Sequence, residues 1–245
     1  MGKVQPGVSV GALVAERMGR SRVFERLGID YCCHGEATLA EACADRSLDV
    51  ASVVAELEAD DARREMTGPD VQDEDRAWSP GRLIDHIVTT HHAYLARELP
   101  RLSMLIDRVT EAHGARHPEL GELRRVFRSL HRELVDHMMK EECILFPLVK
   151  CLEEADRPIQ VFCGTLANPI RIMEHEHESA GEALGRIKTL TDGYRVPADG
   201  CSSFKALLEG LQVLEFDLHR HIHKENNVLF PMAADLEARL AARRA

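Results

Sequence analysis

His137-Met138-Met139-Lys140-Glu141-Glu142-Cys143-Ile144-Leu145-Phe146-Pro147 and His221-Ile222-His223-Lys224-Glu225-Asn226-Asn227-Val228-Leu229-Phe230-Pro231 are two copies of one pattern. In each, a histidine precedes a glutamate by four positions, and the identical residues stand 84 positions apart. Duplication of a pair of helices is the simplest account. On a helix the four-residue spacing puts the imidazole and the carboxylate on one face, a turn apart.

That face is the buried one. Leu130, Leu134, His137, Glu141, Ile144 and Leu148 follow a 3–4 alternation, as do Leu211, Leu214, Leu218, His221, Glu225 and Val228. A carboxylate inside an apolar stripe is expensive unless it is paired or bound to metal. The same test finds Val88, His92, Leu95, Leu99, Leu102 and Ile106, then Ile170, Met173, His177, Ala180 and Leu184. Each stripe thus carries one imidazole, and two add a glutamate. His91 is expected toward the edge and His175 away from the core.

Working outward, the stripes predict four long helices near 79–113, 118–155, 166–192 and 201–243. Ser79-Pro80 and Pro118 suit helix starts, and Gly193 and Gly200 sit in a connection. No segment alternates as a strand would. The fold class is therefore all-α, an up-down-up-down four-helix bundle preceded by a small helical domain. Pro147 and Pro231 fall within helical patterns and are expected to kink them. The expected organisation is a helical domain over 1–66 with a Cys-Cys loop, a linker over 67–78, and the bundle over 79–245. Within the first unit a helix is expected from Ser9 to Leu27, another after Cys33, and a third through Val50–Leu57.

Composition narrows the partners. The chain has 245 residues, a formal charge of −10 and 44% hydrophobic residues. That balance argues against nucleic acid or an anionic membrane, since phosphate binding needs a basic face. No run approaches the roughly 18 apolar residues of a membrane helix, and the first residues lack a secretory core. Seven scattered cysteines do not form a disulfide scaffold. A cytoplasmic protein with reduced thiols is expected. Of the 13 histidines, all but His34 lie between His86 and His223.

A single buried histidine is usually a hydrogen-bonded core residue, but six aligned polar residues on four stripes ask for metal. If Glu141 and Glu225 both bridge, the six side chains give four bonds to each of two ions, and a bridging oxide or hydroxide gives a fifth. Mixed imidazole and carboxylate ligation with open positions suits redox-active iron better than closed structural zinc. The ferritin-like pattern would show Glu-x-x-His; here the motif is His-x-x-x-Glu, as in a haemerythrin-type site. His86, His91, His113, His117, His131, His175, His219 and His223 are expected to be solvated or to support the ligands; Glu133 and Glu176 are expected on a polar face, with tuning of protons or metal entry as the alternative. Cys32-Cys33 sits in a loop after Gly28-Ile29-Asp30-Tyr31. Neighbouring cysteines are poorly spaced as a zinc pair, whose usual form is Cys-x2–4-Cys, but as free thiols they could bind iron or exchange disulfides.

Asp30-Tyr31-Cys32-Cys33, Thr38-Leu39 and Leu48-Asp49-Val50 resemble the small N-terminal domain of the repair-of-iron-centres family, and the two His/Glu motifs resemble its bundle. The resemblance spans nearly the whole chain. It implies a haemerythrin-like fold and two irons held by His92, His137, Glu141, His177, His221 and Glu225. It also implies a role in restoring iron–sulfur clusters damaged by nitric oxide or oxidants. His34 stands where that family often has glycine, Cys43 is an additional thiol, and Gln160–Gly164 carries no readable motif. The expected partners are damaged or apo iron–sulfur proteins, with nitric oxide or oxygen as small ligands, and a homodimer is one arrangement the sequence allows. The leading expectation is a di-iron protein that supplies iron for cluster repair. Its rivals are a nitric oxide reductase, an oxygen or nitric oxide sensor or store, and, more weakly, a ferroxidase. Cys32 and Cys33 are the thiol site expected to contact a recipient or hold iron in transit.

Overall fold

Caps and breaks set the helix order in this computed structural model, which describes residues 4–67, 78–156 and 164–242. Ser9 caps α1 (Val10–Glu16) by accepting from the Ala12 N–H. The expected single helix to Leu27 is broken: Arg17 is extended (φ −146°), and a 3-10 turn (Met18–Arg20) leads into α2 (Ser21–Leu27). The break turns the Arg20 guanidinium inward. It donates to the Leu13 carbonyl at the end of α1 and, at 2.7 Å, to Asp61. Gly28, left-handed at φ 68°, ends α2. A Thr38–Glu41 capping box starts α3 (Leu39–Asp45), and α4 (Val50–Thr67) supplies Asp61. Of the expected linker 67–78, residues 68–77 lie outside the described ones, as does most of the Gln160–Gly164 segment.

Four helical rods follow. The first is α5 (Pro80–His86), a π turn (Ile87–His92) and α6 (Ala93–His113); the second is α7 (Glu119–Lys140), a π turn (Glu141–Leu145) and α8 (Phe146–Glu154). The third is α9 (Ala167–Leu190), and the fourth α10 (Ser202–Lys224), a π turn (Glu225–Leu229) and α11 (Phe230–Ala242). α6 packs on α7 and α10, and α7 on α9, which closes an up-down-up-down bundle. No strand occurs among the described residues, where Ser9 and Thr38 make an isolated bridge. No described helix is long and apolar enough to cross a membrane.

At both prolines expected to kink their helices or mark a change of direction, a π turn stands just before. Pro147 and Pro231 lack the N–H that would bond four residues back. In each case the phenylalanine just before donates five residues back instead, Phe146 to Glu141 and Phe230 to Glu225. The extra residue shifts the buried face by one position. Ile144, expected inside, is 42% exposed, while Leu145 is 1% exposed.

The apolar interior has two parts. One gathers Leu83, Ile87, Phe146, Met173 and Phe230 at one end of the bundle. The other runs from Leu123 and Phe127 through Leu218 and Ile222 into Val10, Leu13 and Tyr31, so the N-terminal helices share a core with the bundle. α1 rests on α10 and on the π turn after it.

Candidate metal centre

The three π turns start or end at His92, Glu141 and Glu225, and these three meet His137, His177 and His221 inside the bundle. All six are at most 3% exposed. Their donor atoms form two groups, His92/Glu141/His221/Glu225 and His137/Glu141/His177/Glu225, each with one ligand atom per residue lying within 4.8 Å of the others. Both glutamates belong to both groups.

The donor set fits cations better than it fits itself. Nδ1 of His92 donates to Glu142 (2.8 Å), Nδ1 of His137 to Glu176 (2.9 Å) and Nδ1 of His177 to the Asn226 side-chain carbonyl (2.7 Å). A neutral ring whose proton sits on Nδ1 presents a lone pair at Nε2. Yet Nε2 of His177 faces Nε2 of His137 at 3.0 Å, and Nε2 of His92 faces that of His221 at 3.2 Å. Two nitrogens bound at about 2.1 Å and at right angles on one ion would be spaced about this far apart. Glu141 has both oxygens buried without an aligned hydrogen bond, although Nε2 of His92 and His137 lie 3.3 and 3.4 Å away. Lone pairs converge on two points.

The charges agree. Burial works against a charge on His137, but Glu141 and Glu225 outweigh it and push its pKa up to about 9. His92 is raised in the same way. Burial would raise Glu225, but His221 and His177 hold it well below the usual carboxylate range. The two buried carboxylates thus favour positive charge on His92 and His137, whereas burial lowers the pKa of His221.

Several groups support the ligands. Glu176, for which the sequence left a polar face or a role beside the ligands, orients His137 and is paired with Lys140. His91 is buried, bonds Asp217 at 3.0 Å and stacks on His221 with ring centres 5.4 Å apart. His223 is buried too, its Nδ1 at 3.2 Å from the Asn227 amide. Glu133 lines a cavity of about 190 Å³ that reaches His137 and His177. Asn226 had a signal in the sequence: it occupies, in the second copy, the place of Glu142 in the first.

Asn226 also joins the centre to the cysteine loop, because its Nδ2 donates to the Cys32 carbonyl at 3.1 Å. Asn227 donates to the carbonyls of Tyr31 (3.3 Å) and Cys32 (3.2 Å). Asn227 lies against Gly11 and Gly35, where an added Cβ would come within 2.3 and 2.1 Å of its Oδ1. Cys33 Sγ lies 3.6 Å from the His177 carbonyl. Burial and its neighbours act together on Cys32: the Cys33 sulfur, desolvation and the Asp30 charge push the thiol well up. The six described cysteines are all free.

Residues 83–233 match the hemerythrin HHE cation binding domain, and residues 7–61 a domain of unknown function, DUF542 (ScdA_N). The iron-sulfur cluster repair protein YtfE of Enterobacter sp. (strain 638) is 37% identical over 224 residues, which cover 91% of this chain and 95% of that protein. The proteins of the same name from Citrobacter koseri and Escherichia coli O157:H7 are 35% and 36% identical over the same shares.

Proposed function

This chain belongs to the hemerythrin HHE cation-binding family, and on that premise we propose that it is a di-iron protein of iron–sulfur cluster repair that supplies iron to damaged clusters. The observation that carries the reading is the pair of four-residue groups that share Glu141 and Glu225 in the buried core. The repair role is supported by the names of its relatives.

His92 and His221 would hold one ion, His137 and His177 the other, with both glutamates common to the two. Iron held there would supply reversible one-electron chemistry and positions open to small ligands. The chain's own residues prepare the site. Glu142, Glu176 and Asn226 fix the ring protons on Nδ1 and so keep each Nε2 free for a cation. The apolar walls around Phe146 and Phe230, whose rings stack near His92 and His177, exclude bulk water. Neutral imidazoles that can be protonated give a route for release, because a proton on Nε2 competes with the metal.

Iron-loaded protein, incubated anaerobically with an apo-cluster protein and sulfide, should rebuild that protein's cluster faster than free ferrous iron at the same concentration. Replacing both Cys32 and Cys33 with serine should slow transfer and leave the bundle's iron content unchanged. A reconstitution rate equal to that of free iron would overturn the supply role. Many turnovers of nitric oxide to nitrous oxide per site would move the reading to a reductase.

A further inference from the structure

We propose that Asp30, Cys32 and Cys33 form a second, mononuclear site for a thiophilic divalent cation, in the cleft between the N-terminal helices and the bundle. Neighbouring cysteines are a poor chelate in an extended chain, where their side chains diverge. Here Asp30 corrects that. Its Oδ1 accepts from the backbone N–H of both Cys32 (3.0 Å) and Cys33 (2.9 Å), and the turn it builds brings the two sulfurs 3.8 Å apart. A disulfide requires about 2.0 Å. Two thiolates bound at about 2.3 Å to one tetrahedral ion stand about 3.8 Å apart. Asp30 Oδ1 is itself 3.3 Å from Cys32 Sγ, and the three donors lie within 4.8 Å of one another.

Three ligands leave a fourth position, and it has somewhere to face. A cavity of about 590 Å³ opens onto Cys32 and Cys33, lined on the bundle side by Gly181 and Gly185 of α9 together with Lys188, Glu215 and His219. A site with two sulfurs and one carboxylate selects ions such as Fe²⁺, Co²⁺ or Zn²⁺ over Mg²⁺ or Ca²⁺. Binding replaces the thiol protons, which leave to the water of the cleft. The new site and the bundle centre share one amide: Asn226 donates to the Cys32 carbonyl and accepts from His177 Nδ1. Use of this site to pass iron onward rests on the iron-supply reading, whereas its ligand set stands without it.

The test is an anaerobic titration of full-length, iron-loaded protein with Co²⁺. One Co²⁺ per chain should bind with a near-ultraviolet sulfur-to-cobalt band and the intense visible bands of tetrahedral geometry, while iron content stays constant. Replacing Cys32 and Cys33 with serine should abolish the band, with helicity and iron unchanged. Asp30→Asn, which keeps an oxygen for the two N–H groups, should weaken binding by about tenfold or more. The proposal is overturned if wild-type protein shows no thiolate band. It is equally overturned if the double variant keeps the band, because exposed Cys143, Cys151 or Cys201 would then supply it. Iron is measured in the same samples: a failed cobalt site with intact iron leaves the iron-supply reading standing. A thiolate band on a bundle that takes up no iron supports this site and removes that reading.

Discussion

Beyond their shared glutamates the two copies of the motif part company: Glu141 is followed by Glu142 and Cys143, Glu225 by Asn226 and Asn227. The first of these positions does one job in both copies. Glu142 accepts from His92 and Asn226 from His177, each bonding Nδ1 of the histidine carried by the preceding rod. A carboxylate can only accept, whereas an amide accepts and donates. The amide therefore reaches one bond further, to the Cys32 carbonyl. At the second position Cys143 faces solvent, while Asn227 is wedged against Gly11 and Gly35 of the N-terminal unit. The copies are alike where they line the centre and differ where one of them carries a neighbour.

The largest effect should come from where the copies are alike. Each four-residue group uses both glutamates, so Glu141→Ala and Glu225→Ala should each disturb both half-sites. Anaerobic iron analysis should fall from two per chain to below one in either variant. Glu133→Ala should keep two, since Glu133 lines the neighbouring cavity without joining either group. If Glu225→Ala kept two irons and an unchanged spectrum, the sharing would be wrong.

Asn227→Leu should break the docked side alone. It removes the Asn227 bonds to the Tyr31 and Cys32 carbonyls and to His223, at about 0.5–1.5 kcal/mol for each hydrogen bond lost, while Asn226 still donates to Cys32. Hydrogen exchange of α1 to α3 should accelerate by one to several orders of magnitude while iron content holds. Cys143→Leu, the same change in the first copy, should leave exchange untouched. Equal acceleration in both variants would mean that the asymmetry of docking lies elsewhere.

The sequence carried the six residues of the centre because a helical period of 3.6 tells which side chains face inward, and His92, His137, Glu141, His177, His221 and Glu225 all sit on such faces. It failed three residues beyond Glu141, at Ile144. The π turn moved the buried face from Ile144 to Leu145, and a regular period contains no hint of an added residue. The helix break at Arg17 was hidden for another reason: it serves a bond between Arg20 and Asp61, 41 positions along. The docking role of Asn226 and Asn227 was not legible, because the bonds that dock them run to backbone carbonyls of another unit, which residue identity does not reveal. For the cysteines, spacing alone could not show that the Asp30 turn brings the two sulfurs together.

Exchanging the two supports should be milder. Glu142→Gln gives His92 an amide acceptor in place of a carboxylate, which lowers the basicity of its Nε2. Iron affinity should fall by about ten- to a hundredfold, as changes to a ligand's hydrogen-bond partner do. Asn226→Asp does the reverse for His177 and should tighten iron, but it removes the donor to Cys32 and should loosen the cysteine loop. Competition with a ferrous chelator reads the first effect and exchange of the Cys32 and Cys33 amides the second. If Asn226→Asp left the loop's exchange unchanged, Asn227 alone would hold it.

The smallest effect tests the unit that only the second copy carries. Burial raises the pKa of Glu25 to about 7, against the hydrogen bond from the Tyr31 hydroxyl at 2.8 Å, which lowers it. In the unfolded chain the carboxyl returns to its ordinary value of 4.5. Between these two values the folded form binds the proton more tightly, so the unfolded form holds fewer protons and stability falls as pH rises through that window. The contribution is fully present below about pH 4.5 and has gone above about pH 7. Glu25→Gln should therefore flatten this part of the stability profile and raise stability relative to wild type near pH 7, read by urea unfolding followed at α1 to α4. Because the Tyr31 backbone carbonyl accepts from Asn227, the Glu25 effect should shrink in Asn227→Leu, where the backbone that carries the ring loses a bond. A profile that kept its slope in Glu25→Gln would assign the titration to another group and leave docking on the second copy independent of pH in this range.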